Sequence, residues 1–91
     1  MDLRWTKKAL SDLTRLHHFL AAVDPSAASR TVRNLTARPL RLLDHPRLGA
    51  RLSGFGAREV RRVLVGPYEV RYEIARDTIY VLRIWHTREH R

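Results

Sequence analysis

The alternation of apolar and charged residues in the C-terminal third of the chain is the feature that most constrains its fold. Residues 58–88 read REVRRVLVGPYEVRYEIARDTIYVLRIWHTR. The alternation is clearest over residues 68–74, where a period of two indicates a strand with one buried face and one face in water. Turn-forming pairs, Gly-Pro at 66–67 and Arg-Asp at 76–77, divide the segment. It is therefore predicted to form three consecutive antiparallel strands that are covered on one side.

The last of these strands carries one isolated charge. Residues 78–85 are apolar on both faces except for Arg83, which is typical of a central strand. A period of two puts Trp85 on the same face as Arg83, and it puts Arg71 and Glu69 of the neighbouring strand on the wet face. The open face of the sheet is thus predicted to collect arginines. We expect the function to lie on this face or on a partner bound nearby.

A short strand and two helices are predicted to precede the sheet. The strand covers residues 2–5, and Thr6 caps a first helix that runs to about residue 22. Asp24 and Pro25 begin the second helix as N-cap and first-turn proline. Apolar residues repeat at helical spacing along the first helix, and Leu10 is predicted to widen the stripe that they form: Ala9, Leu13, Leu16 and Leu20.

The second helix is predicted to have an apolar side and a basic side. Pro39 is expected to interrupt it, and residues 44–55 are predicted to form a loop because they contain proline and glycine. If the helix is continuous, the apolar residues are Ala28, Val32, Leu35 and Leu42, and the basic residues opposite are Arg30, Arg33 and Arg41.

The order strand, helix, helix and three strands predicts an α+β two-layer sandwich. In it a helical hairpin packs on one face of a C-terminal antiparallel sheet. A chain of 91 residues has room for one domain, residues 1–91, with one modest core. That core is predicted to contain Leu13, Leu16, Leu35, Val70, Tyr72, Leu82 and Ile84.

Amino-acid composition restricts the kinds of function that this chain can have. The chain has no cysteine, so neither disulfides nor a thiolate zinc site can support the fold. It has no apolar run long enough to span a membrane, and its start, MDLRWTKK, lacks a signal-peptide core. We therefore expect a cytoplasmic protein. Its net charge of +9 points to acidic partners, either acidic protein segments or nucleic acid.

Short motifs occur in a characteristic order along nearly the whole chain. They are Trp5-Thr6, Ala9 and Asp12-Leu13 in the first helix region, Pro25 and Ala27-Ala28 in the second, Pro46-x-x-Gly49, Arg58-Glu59, Pro67-Tyr68, Arg71-Tyr72-Glu73, and Val81-Leu82-Arg83-Ile84-x-His86-x-Arg88. The ordered set resembles the RelE/ParE toxins of type II toxin–antitoxin modules. The resemblance implies a bacterial toxin held inactive by a cognate antitoxin. It also implies that operator DNA is bound only through the toxin–antitoxin complex, mainly by the antitoxin.

The superfamily contains two functional classes, and one position bears on the choice between them. RelE-like members cleave mRNA on the ribosome without a metal, whereas ParE-like members poison DNA gyrase. The arginine that RelE-like toxins place after the motif tyrosine falls on Glu69 here, and no tyrosine follows Arg88. A carboxylate at Glu69 would repel a scissile phosphate unless an arginine pairs with it. A ParE-like gyrase inhibitor is therefore favoured. An mRNA endonuclease is the alternative, and a basic nucleic-acid-binding module is the third hypothesis.

Three groups of residues are predicted to carry function. If the chain is a nuclease, His86 would act as acid or base and Arg88 would hold the phosphate. The basic side of the second helix, Arg30, Arg33 and Arg41, is predicted to meet the antitoxin. No metal site or cofactor is expected. The third group is the predicted toxic surface, which would bind the target: Arg62, Arg71, Arg83, Trp85 as apolar anchor, His86 and Arg88. Its charges are expected to be exposed and to contribute little to stability.

Overall fold

Five strands and three helical segments form the part of the chain that the structure describes, residues 1–89 of a computed structural model. His90 and Arg91 lie outside the described residues. The α+β sandwich predicted from the sequence is confirmed. Its elements are β1 (Asp2–Trp5), α1 (Lys7–Ala21), α2 (Pro25–Ala37), a 3-10 helix (Arg38–Leu43), β2 (Ala50–Arg51), β3 (Glu59–Val65), β4 (Tyr68–Ala75) and β5 (Thr78–His86).

Side-chain caps set the starts of both α-helices. The Thr6 hydroxyl oxygen accepts a hydrogen bond from the Ala9 amide at 3.1 Å, and the Asp24 carboxylate accepts one from the Ala27 amide at 3.1 Å. After α2 the chain tightens into the 3-10 helix. The cause is Pro39, which lacks an amide hydrogen and whose ring crowds the preceding turn. Both predicted helix starts and the interruption of the second helix are confirmed.

The strands form one sheet in the order β1-β5-β4-β3-β2. β1 runs parallel to β5, and the other neighbouring strands are antiparallel. β2 lies within residues 44–55, for which the sequence predicts a loop, so that prediction is wrong at these two residues. A two-residue strand is too short to show a period, and its pairing with β3 is what defines it.

A β-bulge in β5 changes which of its residues reach the core. Arg71 and Tyr72 of β4 lie opposite Arg83 and Val81, so Leu82 is an extra residue between the two pairs. As a result Leu82 is half-buried and lies outside the apolar clusters of the core. Its predicted place in the core is wrong, because strict alternation assumes a strand without a bulge.

Apolar side chains of both layers form the core between the helices and one face of the sheet. Leu13 packs against this core half-buried. Leu10 is 50% exposed, so the prediction that it widens the apolar stripe of α1 is wrong. The other core predictions are confirmed, with these side chains buried: Leu16, Leu35, Val70, Tyr72 and Ile84.

A buried tyrosine ties the loop before β2 to the sheet. The Tyr72 hydroxyl donates to the Pro46 carbonyl oxygen at 2.7 Å and accepts from the Gly49 amide at 2.9 Å. Burial raises the pKa of Tyr72, so the hydroxyl keeps the proton that it donates. The Pro46-x-x-Gly49 motif therefore serves to close the loop on the core.

Gly49→Ala should destabilise the fold although the residue carries no side chain. A Cβ there would lie 2.8 Å from the Tyr72 hydroxyl oxygen and closer still to the backbone carbonyl oxygen of Arg62. We expect the free energy of unfolding, measured in urea, to fall by about 2 kcal/mol. Gly54→Ala is the control, since its Cβ would meet nothing within 4 Å and carries only the cost of a positive φ. Equal losses in the two variants would contradict the steric explanation.

Candidate functional site

Three arginines lie side by side across the face of the sheet that the helices leave uncovered. Arg62 of β3 is opposite Arg71 of β4, which in turn is opposite Arg83 of β5. We call these three residues the arginine row. Neighbouring strands are about 4.8 Å apart, so the row spans about 10 Å. The structure thus brings together three of the residues predicted for the toxic surface.

A buried carboxylate lies beside the arginine row. Glu69 is 2% exposed, although alternation assigns it to the wet face. Its Oε1 accepts from Arg62 Nη1 at 3.4 Å, and its Oε2 accepts from Arg71 Nη2 at 3.2 Å. The predicted exposure of Glu69 is therefore wrong, because arginines on two adjoining strands cover it. The two guanidiniums also offset the negative charge of Glu69, which alone would repel an anion at this face.

Two members of the arginine row, Arg71 and Arg83, cover Trp85. The guanidinium carbons of Arg71 and Arg83 lie 4.8 Å and 4.9 Å from the centre of its ring, within the range of cation–π contact. Trp85 is only 7% exposed, so it offers little surface to a partner. The exposed apolar side chain of this face is Leu64, which is opposite Glu69 and 55% exposed. Sequence reasoning missed Leu64 because alternation alone does not distinguish a covered from an uncovered apolar residue.

An aspartate of α1 explains the isolated charge of β5. Asp12 accepts from Arg83 Nε at 2.8 Å and Nη2 at 3.1 Å, and from the Ile84 amide at 2.9 Å. β1 ends at Trp5, opposite Val81. Asp12 therefore hydrogen-bonds the edge of β5 where no strand continues the pairing. Sequence reasoning missed this role, although an acid three residues after Ala9 on the buried stripe of a helix is the signal that points to it.

The ion pair between Asp12 and Arg83 is structural. Burial alone would raise the pKa of Asp12, but the hydrogen bonds from Arg83 and from the Ile84 amide outweigh burial and lower it. The pKa of Arg83 is raised, chiefly by its hydrogen bond to Asp12. Arg83 is therefore not the isolated, exposed charge that the sequence predicts, because a buried carboxylate holds its guanidinium.

His86 and Arg88 lie apart from the arginine row, on the side of the sheet that faces the helices. The His86 ring meets the Tyr68 ring edge-on at 5.3 Å, and His86 Nδ1 accepts from the Arg88 amide at 3.1 Å. The two residues border a groove of about 490 Å³ between α1 and the end of β5, which we call the end groove. Its lining residues are Arg15, Leu16, Phe19, Leu20, Tyr68, His86, Arg88 and Glu89.

The end groove is apolar at its floor and charged at one end. Phe19 is 73% exposed, which leaves an aromatic ring open to a partner. Arg15 Nη1 and Glu89 Oε2 are joined at 2.7 Å. The same arginine contacts the Asp12 carboxylate at 3.4 Å, so the end groove and the arginine row share one chain of ion pairs.

The arginines predicted to meet the antitoxin lie on the outer surface of the helical layer. Arg30, Arg33 and Arg41 are exposed. Within residues 1–89, none of the three forms an ion pair.

The described residues include neither a metal-binding cluster nor a membrane-spanning helix. In residues 1–89, no three histidine, cysteine, aspartate or glutamate side chains are arranged to hold a metal ion. Neither does any helix in this range combine the length and apolar character that a bilayer crossing requires.

The chain is similar to a family model, to a named protein and to a solved structure. A family model described as the ParE toxin of the type II toxin–antitoxin system parDE matches residues 3–91. Toxin RelE2 of Caulobacter vibrioides is 35% identical over 82 residues, which cover 90% of each protein. The solved structure titled "Chromosomal ParDE TA system from P. aeruginosa" superposes with a TM-score of 0.77 over 94% of this chain and 95% of that chain. The two are 24% identical, so this likeness shows a shared fold.

Proposed function

This chain belongs to the ParE toxin family of type II toxin–antitoxin systems, and we propose that it inhibits DNA gyrase by binding it rather than by cleaving RNA. The family implies a cognate antitoxin that neutralises the toxin. The proposed location is the cytoplasm, where gyrase acts on DNA. The antitoxin and the target would each use a different surface of the molecule.

One observation carries this proposal: the sheet separates the arginine row from His86. Metal-free RNA cleavage needs a base, an acid and a cation around one phosphate. A phosphate held by the arginine row would lie on the open face, whereas His86 packs against Tyr68 on the helix-facing side. The carboxylate nearest the row, Glu69, is buried and held by two arginines. Binding without chemistry is the function that this arrangement supports.

The arginine row and Leu64 are the proposed contact surface for gyrase. The Arg62 side chain is 46% exposed, and Leu64 lies next to it on the same strand edge of the open face. An exposed leucine can enter an apolar pocket of a partner, and the neighbouring guanidiniums can make charge-assisted hydrogen bonds around it. Glu69 holds the arginines in place before binding, which reduces the side-chain entropy lost in the complex.

The end groove is the proposed site for the antitoxin. Its apolar floor and the exposed Phe19 ring suit an amphipathic segment whose apolar residues carry affinity. An acidic segment would also be attracted by the exposed arginines of the helical layer, Arg30, Arg33 and Arg41, which would mainly raise the association rate. Association that proceeds equally fast at low and high salt would contradict this role for the charges.

His86→Gln tests the proposed class of toxin. Glutamine keeps a hydrogen-bonding side chain but does not titrate, so inhibition of gyrase-dependent supercoiling by the purified variant should stay within about twofold of the wild type. Ribosome-dependent transcript cleavage is measured on the same preparations. His45→Gln is the matched control, because it makes the same substitution at an exposed histidine outside the end groove and the arginine row.

An mRNA endonuclease remains the second candidate because His86 and Arg88 meet at the end groove and a relative is named Toxin RelE2. In that case His86 would transfer a proton and Arg88 would hold the phosphate. Wild-type cleavage of transcripts that falls about a hundredfold in His86→Gln, without inhibition of supercoiling, would establish this candidate and overturn gyrase inhibition.

A further inference from the structure

Within residues 1–89, most of the positive charge outside ion pairs lies away from the sheet. Each arginine of the open face has an acidic partner, as do those that flank it: Arg58 pairs with Glu73, Arg61 with Glu59, and the arginine row with Glu69 and Asp12. By contrast, residues 25–43 contain four arginines and no acid. Within the described part of the chain, none of these four forms an ion pair.

These four arginines follow a nearly continuous helical rod. Arg30 and Arg33 belong to α2, and Arg38 and Arg41 belong to the 3-10 helix that continues from it without a break. All four are exposed. At about 1.5 Å per residue in α2 and about 2 Å in the 3-10 helix, the basic stripe is about 19 Å long. The nearest acids in the sequence, Asp24 and Asp44, flank the rod at its two ends.

The stripe has the chemistry of a phosphate-binding surface more than that of a protein interface. The large apolar side chains that are exposed in the described chain include none from α2 and only Leu40, at 52%, from the 3-10 helix. Tight protein interfaces depend on apolar or aromatic anchors, which the end groove provides and the stripe does not. Contacts to phosphates need cations without such anchors.

We propose that α2 and the following 3-10 helix bind the phosphate backbone of duplex DNA through Arg30, Arg33, Arg38 and Arg41. An exposed helical rod about 10 Å wide can lie along the major groove of B-form DNA, which is about 12 Å wide. The major groove of A-form RNA is too narrow for it. The toxin would then add DNA contacts of its own to those made by its antitoxin. This site does not depend on gyrase inhibition.

Salt dependence of DNA binding tests the site. Four phosphate contacts predict a slope of log K against log salt of about −3.6, and thus a loss of affinity on the order of a hundredfold between 50 and 200 mM salt. The measurement is fluorescence anisotropy of a labelled 20-base-pair duplex titrated with the purified full-length chain. Arg30→Ala/Arg33→Ala/Arg41→Ala should reduce the magnitude of the slope by about 2.7.

The matched control is Lys7→Ala/Lys8→Ala/Arg51→Ala, which removes the same charge from exposed positions off the stripe. It should change the slope by less than about 1. Circular dichroism should show both variants folded, since exposed unpaired charges contribute little to stability. Equal slope changes in the two variants would overturn the proposal. So would equally tight binding of duplex RNA, or competition by polyglutamate as strong as that by unlabelled DNA, since the latter would indicate an acidic protein as the partner.

Discussion

Asp12→Ala is expected to lower the free energy of unfolding by about 3 kcal/mol. The substitution leaves the buried Ile84 amide without its acceptor and removes the carboxylate that pairs with Arg83. This loss lies at the low end of the range of stability losses for a broken buried ion pair. The reason is that the Arg83 side chain is 37% exposed and can turn toward water. Urea unfolding followed by circular dichroism measures it.

The pH dependence of stability provides an independent check of the same ion pair. Folding lowers the pKa of Asp12, so its contribution is fully present above the ordinary carboxyl pKa of 3.8 and is lost as the pH falls through the folded value. The wild type should therefore lose stability between about pH 5 and pH 2 more steeply than Asp12→Asn. Asp2→Asn is the control, and its stability profile should follow that of the wild type. The Asp2 side chain is exposed, and its contact with Arg4 is long, at 3.9 Å. Parallel profiles for the wild type and Asp12→Asn would show that Asp12 does not stabilise the fold through its charge.

Arg62→Ala/Leu64→Ala is expected to weaken inhibition of gyrase supercoiling about a hundredfold, the size of effect typical of central interface residues. The fold should persist, because both side chains are about half exposed and Glu69 keeps its contact with Arg71 at 3.2 Å. Arg62 is the better test of the surface than Arg83, whose replacement would disrupt the pair with Asp12.

The matched control for the toxic surface is Leu10→Ala/Arg76→Ala. It removes the same two types of side chain from exposed positions outside the arginine row. Binding of the antitoxin should be unchanged in both variants, because the end groove is intact in each. Full inhibition by Arg62→Ala/Leu64→Ala would exclude the arginine row and Leu64 as the contact surface for gyrase, whereas equal losses in the two variants would indicate a nonspecific effect of charge.

The sequence determined the elements of the fold and their order. Strand alternation, the caps at Thr6 and Asp24 and the interruption at Pro39 depend on interactions between residues a few positions apart, so they can be seen in the chain itself. The ordered motifs also indicated the family, and they include Asp12, Gly49 and Tyr72 without showing what those residues contact. The α+β architecture followed from these local signals.

Only the tertiary structure decided what the charged residues do. Alternation placed Arg83 and Glu69 on a wet face, but it could not show that Arg83 pairs with an acid 71 positions earlier or that two arginines bury Glu69. The position of His86 at the end of β5 suggested a place beside the arginine row, whereas the strand register puts it on the opposite face of the sheet. The physical reason is the sequence separation over which each interaction acts. Periodicity and capping are fixed by neighbours along the chain, whereas burial and ion pairing depend on which distant residues the topology brings into contact.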